Sequence, residues 1–237
     1  MDGFSYTNIF DTKGIEYLVV IAFLLLLIPF WLALNRQAQV KEYFRRVLGV
    51  LTDSMLRIPQ GIFYSKNHTW AYLEKSGVAR IGLDDLIIHI TGDVKIKQLM
   101  KKGDIIKKGD LIAEMDQNGK SLSIFSPISG EMISENPLLN TNQLLLAEDP
   151  YGSGWICSVK PSAWVKEIST MYLAGEATEM LKKDLVRYKD FLAAGIQKYS
   201  PEPAMVLLQD GGELSENSLS EMPEGLWKDF QKEFLNP

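Results

Sequence analysis

The sequence predicts a mainly β domain that is preceded by a membrane-spanning helix and followed by a long helical extension. Three observations lead to this fold class: an uncharged apolar run near the N-terminus, a middle region of short apolar stretches between turn residues, and a long helical periodicity after it. The chain has 237 residues, which accommodates one domain of about 100 residues with appendages.

The N-terminal run Tyr17–Leu34 contains no charged residue. Crossing the hydrocarbon core takes roughly 20 apolar residues, so the predicted transmembrane helix spans 15–34. Residues 1–14 lack the basic region of a cleaved signal peptide. Only Lys13 precedes the run, whereas five basic residues follow it within about 25 positions: Arg36, Lys41, Arg45, Arg46 and Arg57. The positive-inside rule therefore predicts a single-pass protein of the cytoplasmic membrane, with residues 1–14 outside and the remainder in the cytoplasm.

The juxtamembrane segment 35–61 is predicted to be helical as far as residue 58. Its apolar residues fall at helical spacing: Val40, Phe44, Val47, Leu48, Leu51 and Met55. The basic face suits either a linker helix packed on protein or an interfacial helix on anionic lipid, and both interpretations remain open. Pro59 and Gly61 end the segment.

The sequence pattern of residues 62–161 predicts a small β sandwich or barrel-like domain. Short apolar stretches alternate there with turn signals such as Ser76-Gly77 and Asn118-Gly119. One short helix is predicted at Asp84–Ile90, with Asp84 or Asp85 as its N-cap.

Six sequence blocks in this domain stand in the order typical of glycine cleavage H proteins. They are HTW at 68–70, GVARIGLDDL at 77–86, TGD at 91–93, KKGDIIKKGD at 101–110, SPISGE at 126–131 and EDPYGSGW at 148–155. Over 62–161 the chain therefore resembles the glycine cleavage H-protein family. The resemblance implies a lipoyl/biotinyl-type hammerhead fold, in which a β hairpin presents a lipoylated lysine to partner enzymes.

Lys120 is the candidate for lipoyl attachment that the resemblance implies, but its spacing differs from the family pattern. Lys120 is one residue closer to Pro127, and one residue farther from Gly109, than the family lysine is. An ungapped alignment thus places Gly119 at the carrier position. Asn118-Gly119 predicts a two-residue turn, which makes Lys120 the first residue of the returning strand. Because successive strand residues face opposite sides, the amine then turns away from the tip.

Composition excludes several classes of function. The net charge of −5 gives no indication of a nucleic-acid partner. The single cysteine, Cys157, excludes a disulfide framework and a cysteine-rich metal site. No nucleophile–histidine–acid set is present, so the protein is predicted not to be an enzyme.

The C-terminal region 162–237 is predicted to be largely helical. Residues 162–199 form one long amphipathic helix in this prediction, with a single apolar stripe. The stripe consists of Trp164, Ile168, Met171, Ala174, Leu181, Leu185, Tyr188 and Leu192. An acidic tail, 200–237, ends in a short amphipathic helix. Its apolar residues are Leu226, Trp227, Phe230 and Phe234. They suit either a surface for a partner protein or a tail that folds back on its own domain.

Two hypotheses for the function follow. In the first, the domain is a docking or scaffold subunit of a membrane-associated multiprotein complex, a redox complex being one example, and it carries no cofactor. Its partners are then the lipid bilayer and other subunits. In the second, the chain is a lipoyl carrier, with the lipoyl group on Lys120, that serves a membrane-bound enzyme system.

Overall fold

The computed structural model of the protein describes residues 17–31, 50–199 and 214–236. The chain divides into two compact units, Met1–Gly49 and Val50–Pro237. Most of the predicted segment 35–61, and the first part of the predicted tail, lie outside the described residues.

The described part of the first unit is helix α1, residues 17–31, whose side chains are all exposed. At 1.5 Å per residue the described part of this helix is about 22 Å long. Within the described residues, no helix is both long and apolar enough to cross a membrane. The transmembrane helix predicted over 15–34 is therefore not found there, and its outermost residues lie outside the described part.

The second unit is built on antiparallel sheets, as the turn spacing predicts. Its described strands are β1 Val50–Leu51, β2 Phe63–Tyr64, β3 Thr69–Leu73, β4 Ala79–Leu83, β5 Lys95–Gln98, β6 Ile105–Ile106, β7 Leu111–Gln117, β8 Lys120–Phe125, β9 Gly130–Glu135, β10 Cys157–Pro161, β11 Tyr172–Leu173 and β12 Leu214–Ser215. One sheet has the order β11-β2-β3-β4-β10-β9-β6, a second has the order β5-β7-β8, and β1 pairs with β12. Strand β8 is thus an edge strand of the three-stranded sheet.

Helices alternate with the strands along the chain and follow them toward its C-terminus. They are α2 Asp85–Thr91, α3 Pro137–Thr141, α4 Leu145–Glu148, α5 Trp164–Ile168, α6 Gly175–Tyr199, α7 Glu224–Phe230 and a π-helical turn Gln231–Leu235. Helix α2 is the short helix that the sequence predicts. Its N-cap is Asp84, whose carboxylate accepts a 3.2 Å hydrogen bond from the backbone N–H of Ile87.

The long helix predicted over 162–199 is interrupted, so this prediction is wrong in its first third. Helix α5 ends because the hydroxyls of Ser169 and Thr170 donate to the carbonyls of Lys166 and Glu167, at 2.7 and 2.9 Å. The next residues form β11, which pairs with β2. Only α6 is the expected long amphipathic helix, and its buried stripe includes Leu181, Leu185, Tyr188 and Leu192.

The helix predicted up to residue 58 is also wrong in its described portion. Val50 and Leu51 form β1, and a single 3-10 turn follows at Asp53–Met55. Strand β1 pairs with β12 near the other end of the chain. A strand this short depends on that distant partner, which local periodicity does not show.

Residues 214–236, hereafter the C-terminal segment, fold back onto the domain. The four apolar residues of the predicted terminal helix, Leu226, Trp227, Phe230 and Phe234, are at most 2% exposed. Phe230 and Phe234 pack against Tyr188 of α6 at ring-centroid distances of 5.7 and 6.1 Å. The alternative in which these residues form a free surface for a partner is therefore wrong, and the alternative of a folded-back tail is confirmed.

Candidate functional site

The hairpin β7–β8 carries the candidate lysine, and its turn is set by two residues. Asn118 and Gly119 both have positive φ, 52° and 81°, as a two-residue hairpin turn of type I′ requires. Gln117 and Lys120 face each other as the last paired residues. The structure thus confirms that Asn118-Gly119 form the tip and that Lys120 begins the returning strand.

Gly119, at the aligned carrier position, lies in the open. A Cβ built on it meets no atom within 4 Å, so the tip has room for a side chain but presents none. The base of the turn is fixed by Gln117, whose amide donates to the carbonyls of Thr91 and Asp93, each at 2.8 Å. The tip is therefore held in place while its outermost position lacks a reactive group.

The Lys120 side chain points away from the tip and contacts the C-terminal segment. Its ammonium donates to the carbonyl oxygens of Ser220 and Met222, the latter at 3.0 Å. The same nitrogen lies 5.0 Å from the centroid of the Trp227 ring, within the range of a cation–π interaction. Lys120 is half-buried as a result.

The exposed edge of β8 is covered by the same segment. Ser123 donates its backbone N–H to Oε1 of Gln231 at 2.7 Å, and Nε2 of Gln231 lies 3.4 Å from the Ser123 carbonyl. One side-chain amide thus pairs with both backbone groups of an edge-strand residue, as a neighbouring strand would. An unpaired edge strand can pair with a strand of another molecule. By occupying the backbone groups of Ser123, Gln231 protects this part of the β8 edge from such pairing.

The start of the C-terminal segment is tied to helix α2. Asn217 donates its backbone N–H to the carbonyl of His89 at 2.7 Å. Glu216 lies 3.1 Å from Nδ1 of His89, and Asp85 lies 3.3 Å from its Nε2. Burial by itself lowers the pKa of His89, but the hydrogen bond and charge of Asp85 and the charge of Glu216 raise it overall.

Asp85 is also bound by Arg57. The guanidinium donates to Oδ1 of Asp85 at 2.7 and 3.1 Å, and the Arg57 backbone N–H donates to Oδ2 at 2.8 Å. Burial by itself raises the pKa of Asp85, but hydrogen bonds from His89 and Arg57 lower it overall. The carboxylate therefore stays charged, which keeps His89 in place beside Glu216.

His68 lies in a buried charge network. Its Nδ1 is 2.8 Å from Asp84, and its Nε2 is 3.8 Å from Asp184 of α6. Burial by itself lowers the pKa of His68, but Asp84 and then Asp184 raise it overall. Arg187 neutralises Asp184 through a 2.7 Å contact. The network joins α6 to the β domain, and because His68 is 1% exposed it has no access to a substrate.

No cluster of three or more potential metal ligands occurs among residues 17–31, 50–199 and 214–236. Burial raises the pKa of the Cys157 thiol to about 12, so this cysteine is not a nucleophile.

One protein-family model matches more than half of the chain. The family model described as glycine cleavage H-protein matches residues 62–184, just over half of the sequence. The chain belongs to the glycine cleavage H-protein family. Members of this family are lipoyl carriers and not catalysts themselves, which agrees with the prediction that the chain is not an enzyme.

Curated H proteins resemble the chain over nearly their whole length. A probable glycine cleavage system H protein of Pyrococcus abyssi is 30% identical over 126 residues, covering 53% of this chain and 93% of the relative. The H protein of Psychrobacter cryohalolentis is 34% identical over 107 residues, covering 45% and 85%. The crystal structure of an H protein from Mycobacterium marinum is 23% identical, covers 54% of this chain and 98% of its own, and has a TM-score of 0.44.

Sequence reasoning finds the hairpin and its lysine but misses the groups that bind that lysine. Ser220 and Met222 contribute backbone carbonyls, which every residue has, and Gln231 lies in an ordinary amphipathic pattern. Trp227 is singled out from the sequence only as part of an apolar patch. No signal in the sequence relates these residues to Lys120.

Proposed function

We propose that the chain is a non-catalytic H-protein-type subunit. Its hairpin lysine, Lys120, is bound by the chain's own C-terminal segment and is not lipoylated. The domain then serves as a docking or scaffold subunit of a membrane-associated multiprotein complex. The observation that carries the proposal is the Lys120 ammonium, which donates to the carbonyls of Ser220 and Met222 and lies over Trp227.

The geometry of the tip supports the same proposal. A ligase that modifies a hairpin lysine must reach a primary amine at the turn, and the turn here ends in Gly119. Lys120 is turned toward the C-terminal segment and forms two hydrogen bonds there. Releasing it breaks charge-assisted hydrogen bonds of about 1.5–3 kcal/mol each, which lowers the fraction of accessible lysine.

Mass spectrometry of the Lys120 peptide from the native host tests this proposal. We expect an unmodified peptide from cells whose other lipoyl proteins are fully modified, the latter serving as the control for lipoate supply. A lipoyl mass increment at high occupancy overturns the proposal.

A lipoyl carrier is the second candidate, because the family consists of such carriers and Lys120 directly follows the tip. In this alternative the lipoyl group is attached to Lys120 and the C-terminal segment lies elsewhere. The same mass spectrum decides between the two, since one predicts the lipoyl increment and the other its absence.

We also propose that the apolar N-terminal segment holds the chain at the cytoplasmic membrane, with the H-protein-like domain on the cytoplasmic side. The uncharged run Tyr17–Leu34, the basic residues after it and the exposed apolar side chains of α1 support this. Membrane fractionation of the full chain and of a form that begins at residue 50 provides the test. The full chain is expected in the membrane fraction after an alkaline wash, and its loss in that wash contradicts the proposal.

A further inference from the structure

The contact between Lys120 and the C-terminal segment depends on the positive charge of the lysine. An ammonium has three N–H donors, and two carbonyl oxygens, those of Ser220 and Met222, accept from it. The Trp227 ring attracts the same charge at 5.0 Å. Any reaction that removes the charge from Lys120 thus weakens three contacts at once.

We propose that an acyl group and the C-terminal segment compete for Lys120. Acylation of Lys120 releases the segment from β8, and the docked segment protects Lys120 from acylation. The inference rests on the proposed function in one respect, namely that the segment binds Lys120 whenever this lysine carries no acyl group.

The chemical step accounts for the competition. After the ammonium loses a proton to solvent, the amine nitrogen attacks the carbonyl carbon of an acyl-adenylate, and a C–N bond forms. The C–O bond to the phosphate breaks, AMP leaves with the electron pair, and a second proton is released. The product is a neutral amide with one N–H. It can satisfy one of the two carbonyls, it has no charge for Trp227 to attract, and it adds an acyl chain where Met222 and Trp227 are buried.

Release from β8 does not require the segment to unfold. Phe230 and Phe234 pack on Tyr188 and Phe191 of α6, and Tyr188 is hydrogen-bonded to Ser218 at 2.9 Å. None of these contacts involves Lys120. Besides the contacts of Lys120 itself, the hydrogen bonds between Gln231 and Ser123 join the segment to the β8 edge. The released state therefore loses the β8 contacts and keeps those with α6.

Reciprocity follows from thermodynamics. If acylation weakens docking by a given factor, then docking must lower the equilibrium for acylation by the same factor. Docking also slows acylation, because only a Lys120 amine that has left the segment can react. The competition can therefore be measured from either side, as segment release in one experiment and as acylation rate in the other.

The first experiment compares Lys120→Gln, which is neutral like an acylated lysine, with Lys120→Arg, which keeps the charge. The readout in the full chain is hydrogen exchange of the Ser123 amide, whose partner is Gln231. We expect Lys120→Gln to speed this exchange by about tenfold or more, the factor that corresponds to one lost charge-assisted hydrogen bond, and Lys120→Arg to stay close to the parent. Equal exchange in Lys120→Gln and the parent overturns the proposal.

The second experiment measures protection of the amine directly. The full chain is treated briefly with an acetylating N-hydroxysuccinimide ester, and mass spectrometry follows acetylation of Lys120 against the exposed Lys95 of the same sheet. We expect Lys120 to react at least about tenfold more slowly than Lys95. Gln231→Ala, which loosens the segment at β8, should raise the rate at Lys120 and leave that at Lys95 unchanged. A Lys120 that reacts as fast as Lys95 in the parent overturns the proposal.

These outcomes are distinguishable from a failure of the proposed function. Lipoate found on Lys120 in the native host refutes the proposed function alone. The competition then still predicts fast Ser123 exchange in the lipoylated chain, and slow exchange there overturns it as well.

Discussion

The ammonium of Lys120 lies 5.0 Å from the centroid of the Trp227 ring, although the two residues are far apart in sequence. The ring is fixed, because Trp227 is 1% exposed and its indole N–H donates to the Leu219 carbonyl at 2.7 Å. The lysine that the family resemblance nominates for lipoyl attachment is thus part of a tertiary contact. A hairpin lysine that is bound by the rest of the chain is less accessible to a lipoate ligase than a lysine that extends freely from the tip.

The first prediction concerns the tip. Gly119→Lys, combined with Lys120→Arg, moves the only amine of the hairpin to the aligned carrier position. Because that position is open, we expect lipoate ligase with lipoate and ATP to modify the introduced lysine faster than it modifies Lys120 in the parent, by about tenfold or more. Mass spectrometry of the hairpin peptide provides the measurement.

The control for this comparison is Gly119→Ala with Lys120→Arg, which has the same backbone strain but no amine. The positive φ at Gly119 should cost either variant about 1 kcal/mol of stability, so a folding defect appears in both. Equal modification of the introduced lysine and of Lys120 would contradict the register argument.

The second prediction concerns pH. The pKa of His89 is raised in the folded protein, against the effects of burial and Arg57, by Asp85 and Glu216. Protonated His89 therefore contributes fully to the free energy of unfolding below about pH 6.5, the pKa of an unperturbed histidine. This contribution is lost as the pH rises through the folded-state pKa of His89. We expect His89→Gln to lower the free energy of unfolding by about 1 kcal/mol near pH 6, and by much less near pH 9.

Urea unfolding of the full chain in mild detergent at the two pH values gives this difference. The parent and the His89→Gln variant both contain His68, so the effect of His68 titration on stability cancels in the difference between them. A loss of stability that is the same at both pH values would show that His89 acts through packing and not through its charge.

The third prediction concerns the β8 edge. Gln231→Ala removes the side chain that pairs with both backbone groups of Ser123. We expect a loss of about 1–3 kcal/mol in stability and faster hydrogen exchange at the Ser123 amide. Lys232→Ala, at an exposed neighbouring position, is the matched control and should change neither quantity.

The fourth prediction concerns the aromatic contacts that hold the C-terminal segment to α6. Phe234 is 2% exposed and lies 4.8 Å from Phe230 and 5.5 Å from Phe191, centroid to centroid. We expect Phe234→Ala to cost about 3–5 kcal/mol, as measured by thermal or urea unfolding. Phe234→Leu keeps most of the volume and should cost much less, so equal losses for the two variants would contradict a packing role.

The hairpin and helix α2 were predictable because each depends on local chemistry. Asn118-Gly119 tolerate the positive φ that a two-residue turn demands, and Asp84 can cap a helix whatever surrounds it. The break before α6 was not predictable from the apolar stripe. The stripe runs through Met171 without interruption, whereas the residues after α5 form β11, whose pairing with β2 joins distant parts of the chain.

The sequence by itself determined that this chain has an H-protein-like β domain and that its hairpin ends at Gly119 with Lys120 one residue later. Only the tertiary structure decided what happens to Lys120. Its two hydrogen-bond acceptors are the backbone carbonyls of Ser220 and Met222, which are the same in every amino acid and leave no pattern in a sequence. Their position follows from the packing of Trp227 and Phe234 on the folded domain, and that packing exists only once the β sheets and α6 are assembled.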